Sequence, residues 1–186
     1  MRHCEMIFSG SGGQGLMFIG KLLARLAIDE YPYVTFLPTY GAEVRSGTSY
    51  CNIKLSDEPI PTPVVDWPDV MVLMNQPSVD RFLPRLRVGK IAFVNSSMAA
   101  GNACDGVVEI PANQIALELG EVLVANMVMF GAMLGRQKII DRNKALEAVR
   151  AASAAKGQPY VGLNQQAFQK GWELGASAGH SLQQIV

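Results

Sequence analysis

Met6-Ile7-Phe8-Ser9-Gly10-Ser11-Gly12-Gly13-Gln14-Gly15-Leu16 decides the fold of this chain. An apolar run enters a glycine-rich turn, and a helical pattern leaves it. Gly10, Gly12 and Gly15 fit the spacing G-x-G-x-x-G. In that setting glycine lets the chain turn sharply and lets backbone N–H groups approach a ligand phosphate. The positive end of the following helix favours an anion at the same point. The competing reading is a tight strand–helix turn that uses glycine for packing alone.

Working outward, Cys4–Phe8 reads as a strand of a parallel sheet, buried on both faces. Gly13–Asp29 reads as the first helix, since Leu16, Ile19, Leu23, Leu26 and Ala27 recur at helical spacing. Tyr31-Pro32 stops it. Tyr33–Leu37 is a second strand, which closes a β-α-β unit. The segment from Thr39 to Thr48 leaves no room for a helix. Ser49–Leu55 then alternates Tyr50, Asn52 and Lys54 against Cys51, Ile53 and Leu55. Two strands so joined are expected to be antiparallel, so the sheet should be mixed.

Asp57–Pro68, with Pro59, Pro61, Pro63 and Pro68, reads as an extended surface loop. Strands follow at Asp69–Met74, Lys90–Val94 and Val107–Ile110. Ser78 is a candidate N-cap for a helix over Val79–Leu86, with Pro84 a problem for its last turn. Pro111 opens a helix over Ala112–Leu119 that Gly120 ends. Val122–Leu134 is apolar nearly all round and reads as a buried helix. Asp141 caps a helix over Arg142–Ala152. Asn164 is expected to start a last helix reaching about His180. Residues 1–186 are read as one domain with a helical C-terminal region.

Composition excludes several classes. Sixteen Lys and Arg balance sixteen Asp and Glu, and no basic block occurs, so the chain does not read as a nucleic-acid binder. Hydrophobic residues make up 49% and charged residues 17%, a surface short of charge that suits a member of an assembly. The longest apolar stretch, Val122–Gly135, is interrupted by Asn126 and is too short to span a bilayer. No signal-peptide pattern is present. Cys4, Cys51 and Cys104 are far apart, without a C-x-x-C spacing, so the chain offers no iron–sulfur or zinc site of its own. They read as buried thiols in a reducing cytosol, and the location as cytoplasmic.

The second concentration of interest is Pro38 to Thr48, on the same sheet edge as the glycine loop, where open α/β sheets bind ligands. Arg45 suits an anion and could equally pair with Glu43. An NAD site is disfavoured. A ribose-binding acid should end the second strand, and Pro38 and Thr39 stand there. His3 and His180 lie at the chain ends without catalytic partners and are expected at the surface. Asp66 and Asp69 read as turn and strand-start residues. No G-x-S-x-G, H-E-x-x-H or P-loop lysine occurs, so the chain lacks a catalytic set.

Together these motifs resemble a family. Ser9 to Gly15, Tyr40-Gly41-Ala42-Glu43-Val44-Arg45-Ser46-Gly47-Thr48, Cys51-Asn52-Ile53 and Ser56-Asp57 are similar to the gamma subunit of the 2-oxoacid:ferredoxin oxidoreductases. So are Asn75-Gln76-Pro77, Asn126 and Asn164 to Gly171. The chain departs at Ser46, where the family often has a second glycine. It looks more like the 2-oxoglutarate or branched-chain types than the pyruvate type.

The resemblance implies an α/β, Rossmann-like three-layer sandwich on a mostly parallel mixed sheet. It implies oxidative decarboxylation of a 2-oxoacid with coenzyme A to acyl-CoA, carbon dioxide and reduced ferredoxin. Thiamine diphosphate and iron–sulfur clusters would sit on alpha, beta and ferredoxin-like partner subunits. This chain, non-catalytic alone, would help bind coenzyme A through Gly10, Ser11, Gly12, Gly13, Gln14, Gly15, Tyr40, Glu43 and Arg45. The alternative is a free-standing Rossmann-like nucleotide-binding protein or an NAD(P)-dependent dehydrogenase.

Overall fold

The structure is a computed structural model that describes residues 1–39, 48–101, 104–154 and 158–178. The chain divides into two compact units, Met1–Glu109 and Ile110–Val186. A six-stranded sheet runs in the order β2-β3-β1-β4-β5-β6. Its strands are β1 (His3–Gly10), β2 (Tyr33–Thr39), β3 (Ser49–Ser56), β4 (Val70–Leu73), β5 (Ile91–Asn95) and β6 (Val107–Ile110).

β1 pairs parallel with β4, and β4 parallel with β5. β3 pairs antiparallel with both β1 and β2. Hence β1, β2, β4 and β5 share one direction and β3 alone among these opposes them, a mostly parallel mixed sheet as expected. The antiparallel β2–β3 pair is borne out, with Thr39 opposite Tyr50. The compact β-α-β unit needs correction, because β3 is inserted between β1 and β2. α1 (Leu16–Ala27) therefore crosses over a reversed strand before the chain enters β2.

Side-chain alternation sorts the two faces. Ile7, Met71, Leu73, Ala92 and Val94 pack with Val79 and Phe82 of α2 (Gln76–Phe82). On the other face, a Cβ added to Gly20 of α1 would lie 2.7 Å from Cys51 Sγ and 3.0 Å from Phe36 Cε2. So α1 and α2 cover opposite faces and complete the three layers. α1 leads toward β2 on one side of β1, and α2 toward β5 beyond β4. The crossovers diverge between β1 and β4, so the carboxyl ends of those strands mark the topological switch point, the place where open α/β sheets bind ligands.

The polar positions of β3 do not face water. Asn52 and Lys54 are buried. Asn52 Oδ1 accepts from Val65 N of the proline-rich loop at 3.3 Å. Lys54 Nζ pairs with Glu5 Oε1 at 2.9 Å. Burying the lysine is tolerable because its charge is paired.

The second unit is helical: α3 (Ala112–Glu118), α4 (Ala125–Gln137), α5 (Arg142–Ala154) and α6 (Gln158–Ser177). α4 is buried from Ala125 to Gly135. Phe168 of α6 packs against Phe130 of α4, ring centroids 5.9 Å apart. Asp141 caps α5 as expected, its Oδ1 accepting from Asn143 N and Lys144 N. The start of α6 needs correction. Asn164 lies inside the helix, buried, and donates to Ser153 Oγ of α5 at 2.8 Å. His180 lies outside the described residues.

Candidate functional site

β1 delivers the loop Gly10 to Gly15 to this switch point, and α1 begins at Leu16. The glycines of the loop differ in what requires them. A Cβ on Gly10 would meet Gln14 Oε1 at 2.6 Å, Met74 Cβ at 2.9 Å and Leu16 Cδ2 at 3.0 Å. Gly13 and Gly15 have φ of 90° and 77°, the left-handed region that favours glycine. Gly12 has neither constraint: its φ lies outside that region, and an added Cβ would meet nothing within 4 Å. Ser11, Gly12 and Gly13 are exposed.

Gln14 braces the loop from inside. Its Oε1 accepts from Ser11 N at 2.7 Å, and its backbone N donates to Ser11 O at 3.2 Å. These two bonds consume the amides of Ser11 and Gln14. Among the described residues, the amides of Gly12, Gly13 and Gly15 meet no acceptor. They stand at the open end of α1, whose N-cap Gly15 supplies no side-chain cap. The arrangement is a small cup of donors at the positive end of a helix dipole.

Behind the loop lies a polar cluster that sequence reasoning missed. Asn75, not Ser78, caps α2: its Oδ1 accepts from Ser78 N at 3.0 Å. Pro77 in the first turn was the available signal, since proline is favoured just inside a helix start. Asn75 Nδ2 donates to Ser11 Oγ at 2.6 Å. Ser78 Oγ donates to Asn75 Oδ1 at 2.5 Å, and Ser9 Oγ lies 3.0 Å from Ser78 Oγ. The ends of β1 and β4 are thereby joined through side chains as well as by Met74 N donating to Ser9 O at 2.9 Å.

Tyr40, Glu43 and Arg45 lie outside the described residues. The cation that the structure does place beside this edge is Arg81 of α2. Its Nη1 donates to Thr48 Oγ1 at 3.3 Å and its guanidinium lies 4.9 Å from the Tyr50 ring centroid. Pro84 acts as expected: α2 gives way to a short 3-10 turn over Leu83–Arg85.

The ionisable groups elsewhere are structural. Asp69 accepts from Glu5 N at 2.8 Å and pairs with Lys90 Nζ at 2.6 Å. His3 is exposed beside Glu5. Burial pushes the thiols of Cys4 and Cys51 up to about 12. Cys104 is exposed and Cys4 half-buried, which corrects the expectation of buried thiols throughout; Cys51 alone of the three is buried. Among the described residues no group of three His, Cys, Asp or Glu stands close enough to hold a metal ion. Nor is any described helix long and apolar enough to cross a membrane.

Fold and site together define an open α/β sheet with a glycine loop of unbonded backbone amides at its switch point. The pyruvate ferredoxin/flavodoxin oxidoreductase family model matches residues 5–174, and the chain belongs to this family. It is 35% identical over 168 residues to the ketoisovalerate oxidoreductase subunit VorA of Methanothermobacter thermautotrophicus. That match covers 89% of this chain and 35% of the relative, so the chain spans about a third of that protein's length. The gamma subunit of a keto/oxoacid ferredoxin oxidoreductase from Geobacter sulfurreducens superposes with a TM-score of 0.77 at 27% identity, covering 94% of this chain and 99% of that one. A 2-oxoglutarate:ferredoxin oxidoreductase from Magnetococcus marinus, with 2-oxoglutarate, coenzyme A and succinyl-CoA bound, shares the fold. Its TM-score is 0.83 at 22% identity, over 95% of this chain and 32% of that one.

Proposed function

We propose that this chain is the gamma-type unit of a 2-oxoacid:ferredoxin oxidoreductase. The assembled enzyme oxidatively decarboxylates a 2-oxoacid with coenzyme A, giving acyl-CoA, carbon dioxide and reduced ferredoxin. Thiamine diphosphate and the iron–sulfur clusters belong to alpha, beta and ferredoxin-like partners. The sequence supports that division, because Cys4, Cys51 and Cys104 stand far apart and lack the C-x-x-C spacing of a cluster site. The part played by this chain is to hold a phosphate of coenzyme A in the cup formed by Gly12, Gly13 and Gly15.

One observation carries the reading: Gly12 is a glycine that the fold does not need. Neither packing nor φ calls for it. Approach of a ligand to the backbone does. The dehydrogenase alternative has a geometric obstacle besides Pro38 and Thr39. Since β3 separates β2 from β1, the end of β2 lies a further strand spacing of about 4.8 Å from the glycine loop.

Reconstitution tests the proposal. The purified chain alone should show no oxidoreductase activity, and combined with its alpha and beta partners it should restore acyl-CoA formation. Partners that are fully active without it would overturn the assignment.

A further inference from the structure

The hydrogen bonds beneath the glycine loop run in one direction, and their sense can be assigned atom by atom. Ser78 N can only donate, so the side-chain atom of Asn75 that it meets at 3.0 Å is the oxygen. The nitrogen therefore faces the loop. Ser78 Oγ spends its single proton on the same oxygen, at 2.5 Å. Ser9 Oγ then donates to Ser78 Oγ at 3.0 Å, nearer than its other acceptor, Ser49 O, at 3.4 Å. On the loop side Asn75 Nδ2 donates to Ser11 Oγ at 2.6 Å. Asn75 and Ser78 are buried, so water does not compete for these bonds, whereas Ser11 is exposed.

The consequence falls on Ser11. Its oxygen accepts from the interior, which leaves its proton for the solvent side of the loop. A hydroxyl that accepts from a buried amide is also polarised into a better donor. We propose that Asn75 is a positioning residue that holds the Ser11 hydroxyl as a proton donor to the ligand, beside the free amides of Gly12 and Gly13. A cup lined only with donors takes an acceptor-only oxygen, that of an ionised phosphate ester or phosphoanhydride. This rests on the coenzyme-binding reading above and adds to it the side-chain donor and the residue that orients it.

The experiment measures coenzyme A binding by calorimetry on the assembled complex carrying the full chain. Asn75→Ser keeps a cap oxygen for Ser78 N and is too short to reach Ser11, so α2 stays capped while Ser11 is released. Ser11→Ala and Asn75→Ser should each raise the Kd at least about tenfold, the effect of one lost bond to a charged group. The double variant should be no weaker than Ser11→Ala, because Asn75 acts through Ser11. If Asn75→Ser fails to assemble, Asn75→Asp serves instead. Aspartate caps α2 equally well, but its second oxygen would accept the Ser11 proton, and the Kd should rise further than in Ser11→Ala. Losses that multiply in the double variant, or an unchanged Kd in Ser11→Ala, overturn the proposal. A wild-type complex that binds no coenzyme A overturns the underlying reading and this inference with it. A wild type that binds while the variants match it overturns the inference alone.

Discussion

A side chain at Gly10 has nowhere to go, since Met74 Cβ and Leu16 Cδ2 already stand within 3.0 Å of where its Cβ would be. At Gly12 the same side chain meets open space. Valine at Gly10 should therefore destabilise the chain by about 1–3 kcal/mol, the usual cost of overpacking. Valine at Gly12 should leave the urea midpoint close to that of the parent while raising the Michaelis constant for coenzyme A in the assembled enzyme. Equal destabilisation by both would make the whole loop a packing device. The spacing of the glycines was legible in the sequence; which of them packing requires was not, because that depends on Met74 arriving from the end of β4.

The thiols give a second residue-scale test. Cys51 is held neutral by burial, as is Cys4, where the charge of Asp69 adds to the effect. Both bind a proton more tightly folded than unfolded. Their stabilisation is complete below the ordinary thiol range and is lost as pH rises from about 9 toward 12. Two outcomes follow. Stability measured by urea should fall across that window, and less steeply in Cys51→Ala. A thiol reagent at pH 8 should label the exposed Cys104 rapidly and the buried Cys51 only on unfolding. Rapid labelling of Cys51 in the folded protein would contradict the burial that raises its pKa.

At the scale of elements, α4 and α6 approach through glycines on both sides. A Cβ on Gly131 would press on the Phe168 carbonyl and lie 2.9 Å from Trp172 N. One on Gly175 would lie 2.9 Å from Ala132 Cα. The neighbours are backbone and cannot swing aside. Gly162, in the same α6, faces open space. Alanine favours a helix over glycine by about 1 kcal/mol. Gly162→Ala should therefore stabilise by up to about that amount, whereas Gly131→Ala should destabilise by about 1–3 kcal/mol despite the same propensity gain. Chemical denaturation of the two variants reads the opposite signs. Two stabilised variants would mean that the helices do not pack this closely.

The element order also shows where sequence reasoning stops. The antiparallel β2–β3 pair followed from a connection too short for a crossover. The insertion of β3 beside β1 did not follow, because periodicity reports which residues are buried and not which strand lies alongside. Nor, for the same reason, does the alternation of Asn52 and Lys54 with apolar residues show what covers them. Their alternation is real, but Val65 and Glu5 meet them there. At α2 the sequence held two cap-type residues, Asn75 and Ser78, and only the structure shows them bonded to each other, one as the cap and the other as its donor.

For the whole molecule, sixteen Lys and Arg against sixteen Asp and Glu leave no net charge to draw in an anion, so the proposed site rests on its local donors. The described donors, Ser11, Gly12, Gly13 and Gly15, all belong to the unit Met1–Glu109. Binding there stabilises the folded state by mass action. In the assembled enzyme, free coenzyme A at a hundred times its Kd should add about 2.7 kcal/mol to the stability of this chain. NAD at the same concentration should add nothing, because β3 displaces the end of β2 and Pro38 and Thr39 stand there in place of a ribose-binding acid. Gly12→Val should abolish the response to coenzyme A while its melting in the absence of ligand stays unchanged. That pairing matters, since a variant that simply unfolds would also lose the response. Thermal melts with each nucleotide, on parent and variant, supply all the comparisons at once. A parent stabilised by NAD and indifferent to coenzyme A would return the chain to the dehydrogenase reading. A variant that still responds to coenzyme A would move the phosphate away from the glycine loop.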